Sequence, residues 1–421
     1  MSGLSKNAAI YLFSNIAVAA VPFALLPVLT RYLGPDGYGV VALYTTFLPL
    51  LGAVIGLSVH GAISRRWFDK DEIDMPQYVS GCVFILLISG FVVFFSFLFL
   101  DEWISSKISI PIFWLYMAIV VSVLSFIIQI RLVLWQVQGM AKKYGAMQFS
   151  AALLNGVFSI FLVVLYLKGV EGRLWGHFVP FVLFGILALF LLYREGLLKF
   201  KTQLSYIKDA LLFGVPLIPH VIGAFLLLMA DRVIVNDHLG PRFVGIYMVA
   251  VQISLGLQII NDAFGKAFSP WLFERLKSGC DVEKARIVRI TYIYFFCLLL
   301  TVPISAFLAR FVIDILAGPE YAEAAEVLPF LVLAQSFHGM YYLVTGYLFY
   351  ERKTHITASV TIVCGAAGVL VTWWLVGKYG LIGAGIGASV AMFFQFILTW
   401  FMAAKVHPMP WGLVKNKIKI E

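Results

Sequence analysis

The sequence predicts an all-α polytopic membrane protein. Twelve transmembrane helices fall into two six-helix lobes related by a pseudo-two-fold axis along the membrane normal. Three observations predict this. The 421-residue chain is 62% hydrophobic and only 13% charged, against about 25% charged in a soluble domain. Its apolar runs are continuous over roughly 20 residues, the length a bilayer core demands of a helix. Barrel strands would alternate over about 10 residues, and these runs do not. Third, one loop is written twice: "RYLGPDGYG" at 31–39 and "DHLGPRFVG" at 237–245. Leu33, Gly34, Pro35 and Gly39 recur as Leu239, Gly240, Pro241 and Gly245, an offset of 206 residues.

The spans are read in order as 8–30, 39–63, 79–100, 112–137, 145–167 and 174–193, then 209–235, 243–265, 288–313, 327–349, 355–376 and 381–404. The first is too long for a signal h-region and has no small-x-small cleavage site after it. It holds Asn15, Pro22 and Pro27, and the second ends at His60, Arg65 and Arg66. The seventh, "PLIPHVIGAFLLLMADRVIV", contains Pro216 and Pro219, which remove backbone donors and loosen a helix. The ninth follows the longest connection, 266–289, which is basic. A second repeat, at offset 211, pairs 142–176 with 353–387. The lobes are therefore placed at 1–194 and 209–404, with a linker at 195–208 and a basic tail at 405–421. Parallel repeats of this kind place a site between the halves, near the midplane.

An even number of spans puts both termini on one side. The segments on the N-terminal side hold 22 of the 31 Lys and Arg residues and those on the other side hold 8, with Arg131 left inside a span. The positive-inside rule then makes both termini cytoplasmic. The formal charge of +9 is explained by these loops and gives no reason to expect nucleic acid. Cys82, Cys280, Cys297 and Cys364 show no metal or disulfide spacing. No loop is long enough for a soluble catalytic domain. No Walker A, HExxH or GxSxG sequence occurs, so catalysis and ATP hydrolysis are not expected.

Ionisable residues within spans are the candidate functional groups. Arg131 lies about 12 Å from the nearer end of its span at 1.5 Å per residue, on one face with Trp135 and Gln138. It reads either as a cation lining a cavity or as a snorkelling arginine. Gln258, Asp262 and Lys266 form an i, i+4, i+8 stripe, read as a cavity wall or as an Asp262–Lys266 ion pair. Asp231 and Arg232 end the seventh span, as a salt bridge or as cavity groups. His220 follows the Pro-rich break, and Gln335 and His338 lie in the tenth span. His220 and Asp262 are the candidates for ion coupling.

Several stretches resemble one family when taken together. They are "RYLGPDGYGVVAL", "GVPLIPHVIGAFLLLMADRVIV", "LAGPEYAEAAEVLPFLVLAQSFHGMYYL" and "KYGLIGAGIGASV". They resemble the polysaccharide transporter family, whose best-known members are the O-antigen (Wzx-type) flippases. That family shares a superfamily with MATE-type multidrug exporters and the lipid II flippase. The resemblance implies two six-helix lobes and transfer of undecaprenyl-diphosphate-linked oligosaccharide, such as the O-antigen unit of lipopolysaccharide, across the bacterial inner membrane. It implies a cationic cavity, mapped here to Arg131, Lys266, Arg31 and Arg232. It also implies no cofactor beyond an H+ or Na+ coupling ion, with a polysaccharide polymerase and chain-length proteins as partners. The alternative it leaves is an ion-coupled small-molecule antiporter of the same superfamily.

Overall fold

A computed structural model describes residues 3–199, 201–278 and 280–412. Ten of its helices are long and apolar enough to cross a membrane. Two of these, running 42 and 53 residues, are too long to be single spans. At 1.5 Å per residue each is at least about twice the 30 Å hydrocarbon core. Each is interrupted by one glycine with positive φ, Gly34 (φ 63°) in the first and Gly380 (φ 59°) in the second. Divided there, the ten become twelve candidate spans among the described residues, six in each half of the chain, as expected.

We number them α1 (3–33), α2 (35–54), α3 (Met75–Ile108), α4 (Ile112–Val137), α5 (Ala141–Leu165) and α6 (Gly169–Arg194). The second half holds α7 (Leu204–Leu228), α8 (Pro241–Ser278), α9 (Asp281–Leu316), α10 (Ala324–Tyr350), α11 (354–379) and α12 (381–406). The repeat extends to the backbone. Gly34 and Gly240, at offset 206, both have positive φ, and so do Gly169 and Gly380, at offset 211. Only glycine adopts that region without a steric penalty, so these four positions fix the tight connections of both halves.

Three expectations are corrected. The seventh span ends at Leu228 rather than 235, and Asp231 and Arg232 begin a separate helix, Ala230–Leu239. The second span ends at Val54 rather than 63. Gly56, Leu57 and Ser58 all take positive φ, which no helix can accommodate. A separate short helix, His60–Arg66, follows. The basic connection 266–289 is also almost wholly helical, because α8 runs on to Ser278 and α9 starts at Asp281. Leu272, Leu276 and Ile287 bury their side chains there, and Arg275 pairs with Glu283 at 2.8 Å. The expected break in α7 is present: Val215–Leu217 forms a 3-10 turn between Leu204–Gly214 and Ile218–Leu228.

The chain divides into two compact units that cut across the sequence lobes. Unit 1 comprises Met1–Phe225, Val235–Met248 and Ile315–Glu320. Unit 2 comprises Leu226–Ile234, Val249–Asp314 and Tyr321–Glu421. Unit 1 buries Tyr44, Ile63, Cys82, Leu86, Leu115 and Leu134. Unit 2 has a core of Leu272, Val344, Tyr347 and Leu348, edged by Phe295, Phe396 and Trp400. On α3, Phe91, Phe95 and Phe99 are exposed at i, i+4 spacing, and on α9 so are Phe307 and Phe311. A soluble protein would not leave such stripes facing water; lipid is their solvent.

Candidate functional site

Unit 1 contains a cavity of about 380 Å³. Its wall mixes apolar residues with Thr45, His60, Ser122, Ser125, Gln129 and His177. The break after α2 makes room for it. Gly52 and Pro49 line the cavity without long side chains, and the short helix brings His60 up against Phe126, with ring centroids 5.3 Å apart. At another wall, His177 of α6 meets the Tyr44 ring edge-on at 5.9 Å. One turn before His177, Arg173 donates from Nη1 to Asn155 Oδ1 at 2.7 Å and to Ser159 Oγ at 2.5 Å. The sequence places Arg173 in the connection before the span at 174–193. The signal that would have found it is a pair of i, i+4 patterns on successive helices: Asn155 with Ser159, and Arg173 with His177.

Arg131 is fully buried, so neither sequence reading describes it in this conformation. Its Nη2 donates to Glu195 Oε2 at 2.6 Å, just past the end of α6, and its guanidinium lies 4.3 Å from the Trp135 ring centroid. Glu195 is 64 residues away in sequence, beyond the reach of periodicity. Gln138 follows the last turn of α4 with its Oε1 buried.

The α8 stripe lies in unit 2. Asp262 faces the Tyr342 hydroxyl and the His338 ring of α10 rather than forming an ion pair with Lys266. Lys266 is exposed, and Gln258 is partly buried on the same helix. Beside Asp262, Asn261 donates to the Gln335 carbonyl at 2.9 Å and accepts from the Tyr294 hydroxyl at 2.7 Å. The polar groups of α8, α9 and α10 therefore converge on one stretch of unit 2. The sequence marks Asp262, Gln335 and His338 singly, and only the packing of the three helices joins them.

The other candidates have structural partners. Arg31 donates to the Ile315 carbonyl at 3.0 Å, capping the C-terminal end of α9. Arg232 is buried and reaches the Leu228 carbonyl at 2.6 Å and Asp231 at 3.3 Å. Asp231 itself points into a narrow crevice with Gly368, Thr372 and Ala388. His220 is exposed on α7.

A polar clamp not anticipated from sequence ties the short helix to α3 and α7. Arg66 bonds both carboxylate oxygens of Asp209, at 3.0 and 2.5 Å, and Asp69 at 2.9 Å. Tyr78 donates to Asp209 at 2.8 Å. The Asp209 and Asp69 carboxylates hold the Arg66 guanidinium above its ordinary pKa. Asp74 caps α3 by accepting from the Gln77 amide, and Lys199 sits 3.0 Å from its carboxylate. The Lys199 ammonium holds the Asp74 carboxyl below the usual carboxylate range.

A family profile described as "Polysaccharide biosynthesis protein" matches residues 4–275, well over half of the chain. The chain belongs to the polysaccharide biosynthesis protein family. The membership that the quoted motifs implied therefore holds. Two Haemophilus influenzae proteins are similar over nearly the whole length. One, described as Lsg locus putative protein 1, is 28% identical over 95% of this chain and 98% of its own. The other, described as an uncharacterized membrane protein, is 29% identical over 87% of this chain and 90% of its own. The fold is also that of a multidrug resistance MATE family transporter of the MOP superfamily, solved in an inward-facing conformation. That structure superposes with a TM-score of 0.74 over 92% of this chain and 94% of its own, at 14% identity. This member of the polysaccharide biosynthesis protein family is thus a twelve-helix membrane protein with a MATE-type fold.

Proposed function

We propose that the chain is a flippase for undecaprenyl-diphosphate-linked oligosaccharide, moving it from the cytoplasmic to the outer leaflet by alternating access. The observation that carries this reading is a cavity of about 380 Å³, part of its wall polar, within a lipid-facing bundle, in a chain of the polysaccharide biosynthesis protein family. Drawing a sugar-diphosphate head through hydrocarbon is prohibitive. A cavity that changes its side of access removes that barrier while the polyprenyl tail stays in lipid. The protein resides in the bacterial inner membrane with both termini cytoplasmic, on the 22-to-8 distribution of Lys and Arg. Its cargo is an O-antigen or similar repeat unit, and a polysaccharide polymerase and chain-length proteins act on the product.

An H+ or Na+ gradient supplies the driving force. Of the two coupling candidates, the geometry favours Asp262, which lies among Asn261, His338 and Tyr342, over exposed His220. The cations Arg131, Lys266, Arg31 and Arg232 are less suited to hold cargo in this conformation, because three of them have protein partners. Lys266 is exposed at the mouth of α8.

A second reading, an ion-coupled small-molecule antiporter, is favoured by the MATE-type fold. Depletion of the protein in its own cells separates the two. The flippase reading expects lipid-linked repeat units to accumulate, surface polysaccharide to disappear and drug susceptibility to stay unchanged. Intact surface polysaccharide with raised drug sensitivity would establish the antiporter instead.

A further inference from the structure

We infer that Arg173, His177 and Tyr44 form an oxyanion-binding site beside the unit 1 cavity, which His177 alone of the three lines, built to take a phosphate or carboxylate borne on a hydroxylated molecule. The charge balance is the first reason. Arg131 pairs with Glu195, Arg232 with Asp231 and Arg66 with Asp209. Arg173 has no carboxylate within ion-pair distance among the described residues; its partners are the neutral Asn155 and Ser159. An arginine stays protonated in proteins, and Arg173, half-buried on α6, holds its charge among neutral partners. Its Nε is buried and unpartnered among the described residues, which leaves a donor for an external counter-charge.

The second reason is convergence. Tyr44 is 0% exposed, and its hydroxyl has no hydrogen-bond partner among the described residues. His177, whose ring meets that of Tyr44, has a buried Nδ1 in the same condition and lines the cavity. The guanidinium, the hydroxyl and the imidazole are all able to donate, which suits an acceptor-only ligand. Thr45, Ser122, Ser125 and Gln129 continue the polar wall away from them, as hydroxyl groups on the ligand would require. The volume lies within the roughly 300–1,000 Å³ of small-molecule sites.

The third reason is that the backbone is shaped to produce this cluster. A methyl group on Gly176 would lie 2.6 Å from Ser159 Cα, and one on Gly172 would lie 3.0 Å from the Leu162 carbonyl. The two glycines flank Arg173 and let α6 press onto α5. At that contact α5 turns into a π-helical segment, Phe161–Leu165. Such segments occur frequently at functional sites. Asn155 and Ser159, in the turns before Phe161, both accept from Nη1 and leave Nε for another partner.

The inference rests on the transporter reading only for the ligand being cargo, because binding is measurable without transport. Purified full-length protein in detergent is titrated by calorimetry at constant ionic strength with sodium phosphate, sodium glucuronate, sodium chloride and glucose. The expected result is saturable binding of phosphate or glucuronate, with neither chloride nor glucose binding. Whichever oxyanion binds tells a phosphorylated ligand from an acidic sugar. R173Q should weaken that binding at least tenfold and R173K severalfold. Y44F and H177Q, which keep size and shape, should each weaken it severalfold and carry the test where R173Q fails to fold. Wild-type binding in Y44F and H177Q, or binding of neither oxyanion, overturns the site. Oxyanion binding that depends on Arg173, in protein that moves no lipid-linked oligosaccharide, upholds the site and counts against the flippase reading alone.

Discussion

Gly39 of α2 and Gly245 of α8 pass each other at backbone contact. A methyl group on Gly39 would overlap the Pro241 carbonyl and lie 3.0 Å from the Gly245 nitrogen. One on Gly245 would overlap the Pro35 carbonyl and lie 3.0 Å from the Gly39 nitrogen. The contacts are reciprocal, and the residues occupy the same place in the two copies of the LGP loop. The duplicated loop therefore meets its own copy across a local two-fold inside unit 1. Arg242 and Asp36, 4.0 Å apart, extend the contact at its exposed edge.

The first prediction concerns that crossing. Gly39→Ala and Gly245→Ala each place a side chain where backbone already stands. Overpacking of this kind costs about 1–3 kcal/mol. Both variants should unfold at clearly lower temperature in detergent. Gly256→Ala, where a methyl group meets nothing within 4 Å, should leave the midpoint unchanged or raise it. Equal midpoints for all three variants would remove the close approach.

The Arg131–Glu195 pair should respond asymmetrically. Glu195 keeps a side-chain exposure of 32% against 0% for Arg131. Arg131→Met leaves a carboxylate that water can reach, whereas Glu195→Gln strands a buried guanidinium. Stranding a buried charge costs about 3–5 kcal/mol. Glu195→Gln should therefore destabilise more than Arg131→Met, as read by protease resistance across a temperature series. The reverse order would mean that Arg131 is hydrated.

The Asp74–Lys199 contact gives a pH signature. Because Lys199 lowers the folded-state pKa of Asp74, the contact adds stability above the unfolded carboxylate value of about 3.9. That stability fades as pH falls through the folded value. Asp74→Asn keeps the helix cap and loses the charge. It should lower the unfolding midpoint slightly at neutral pH, by the roughly 0.2–1 kcal/mol of an exposed pair. The difference from wild type should close in acid. A difference that persists unchanged there would assign the effect to the cap.

For coupling, Asp262→Asn should abolish the response of transport to an imposed ion gradient. His220→Ala, on an exposed position, should preserve it. Gradient dependence retained in Asp262→Asn, measured in reconstituted vesicles, would place coupling elsewhere.

The legible features were those written locally. The bounds of α4 match the apolar run at 112–137 residue for residue, and the paired prolines of α7 announced its 3-10 turn. The break at 55–59 was hidden because "IGLSV" is as apolar as the span before it. There the chain turns to pack Gly214 against the Leu57 carbonyl, a tertiary contact. The partners of Arg131 and Arg66 lie 64 and 143 residues away, so their roles depended on packing that no periodicity encodes. Arg173 was missed for the opposite reason. The glycines around it read as a loop, whereas they permit the tight packing of two helices.

The central claim is tested most directly by reconstituting the purified protein into vesicles carrying lipid-linked oligosaccharide on one leaflet, and following its arrival on the other under an imposed H+ or Na+ gradient. A flippase gives transfer well above that of protein-free vesicles, slowed by Asp262→Asn. Transfer no faster than in protein-free vesicles, with either ion gradient in either direction, would contradict it.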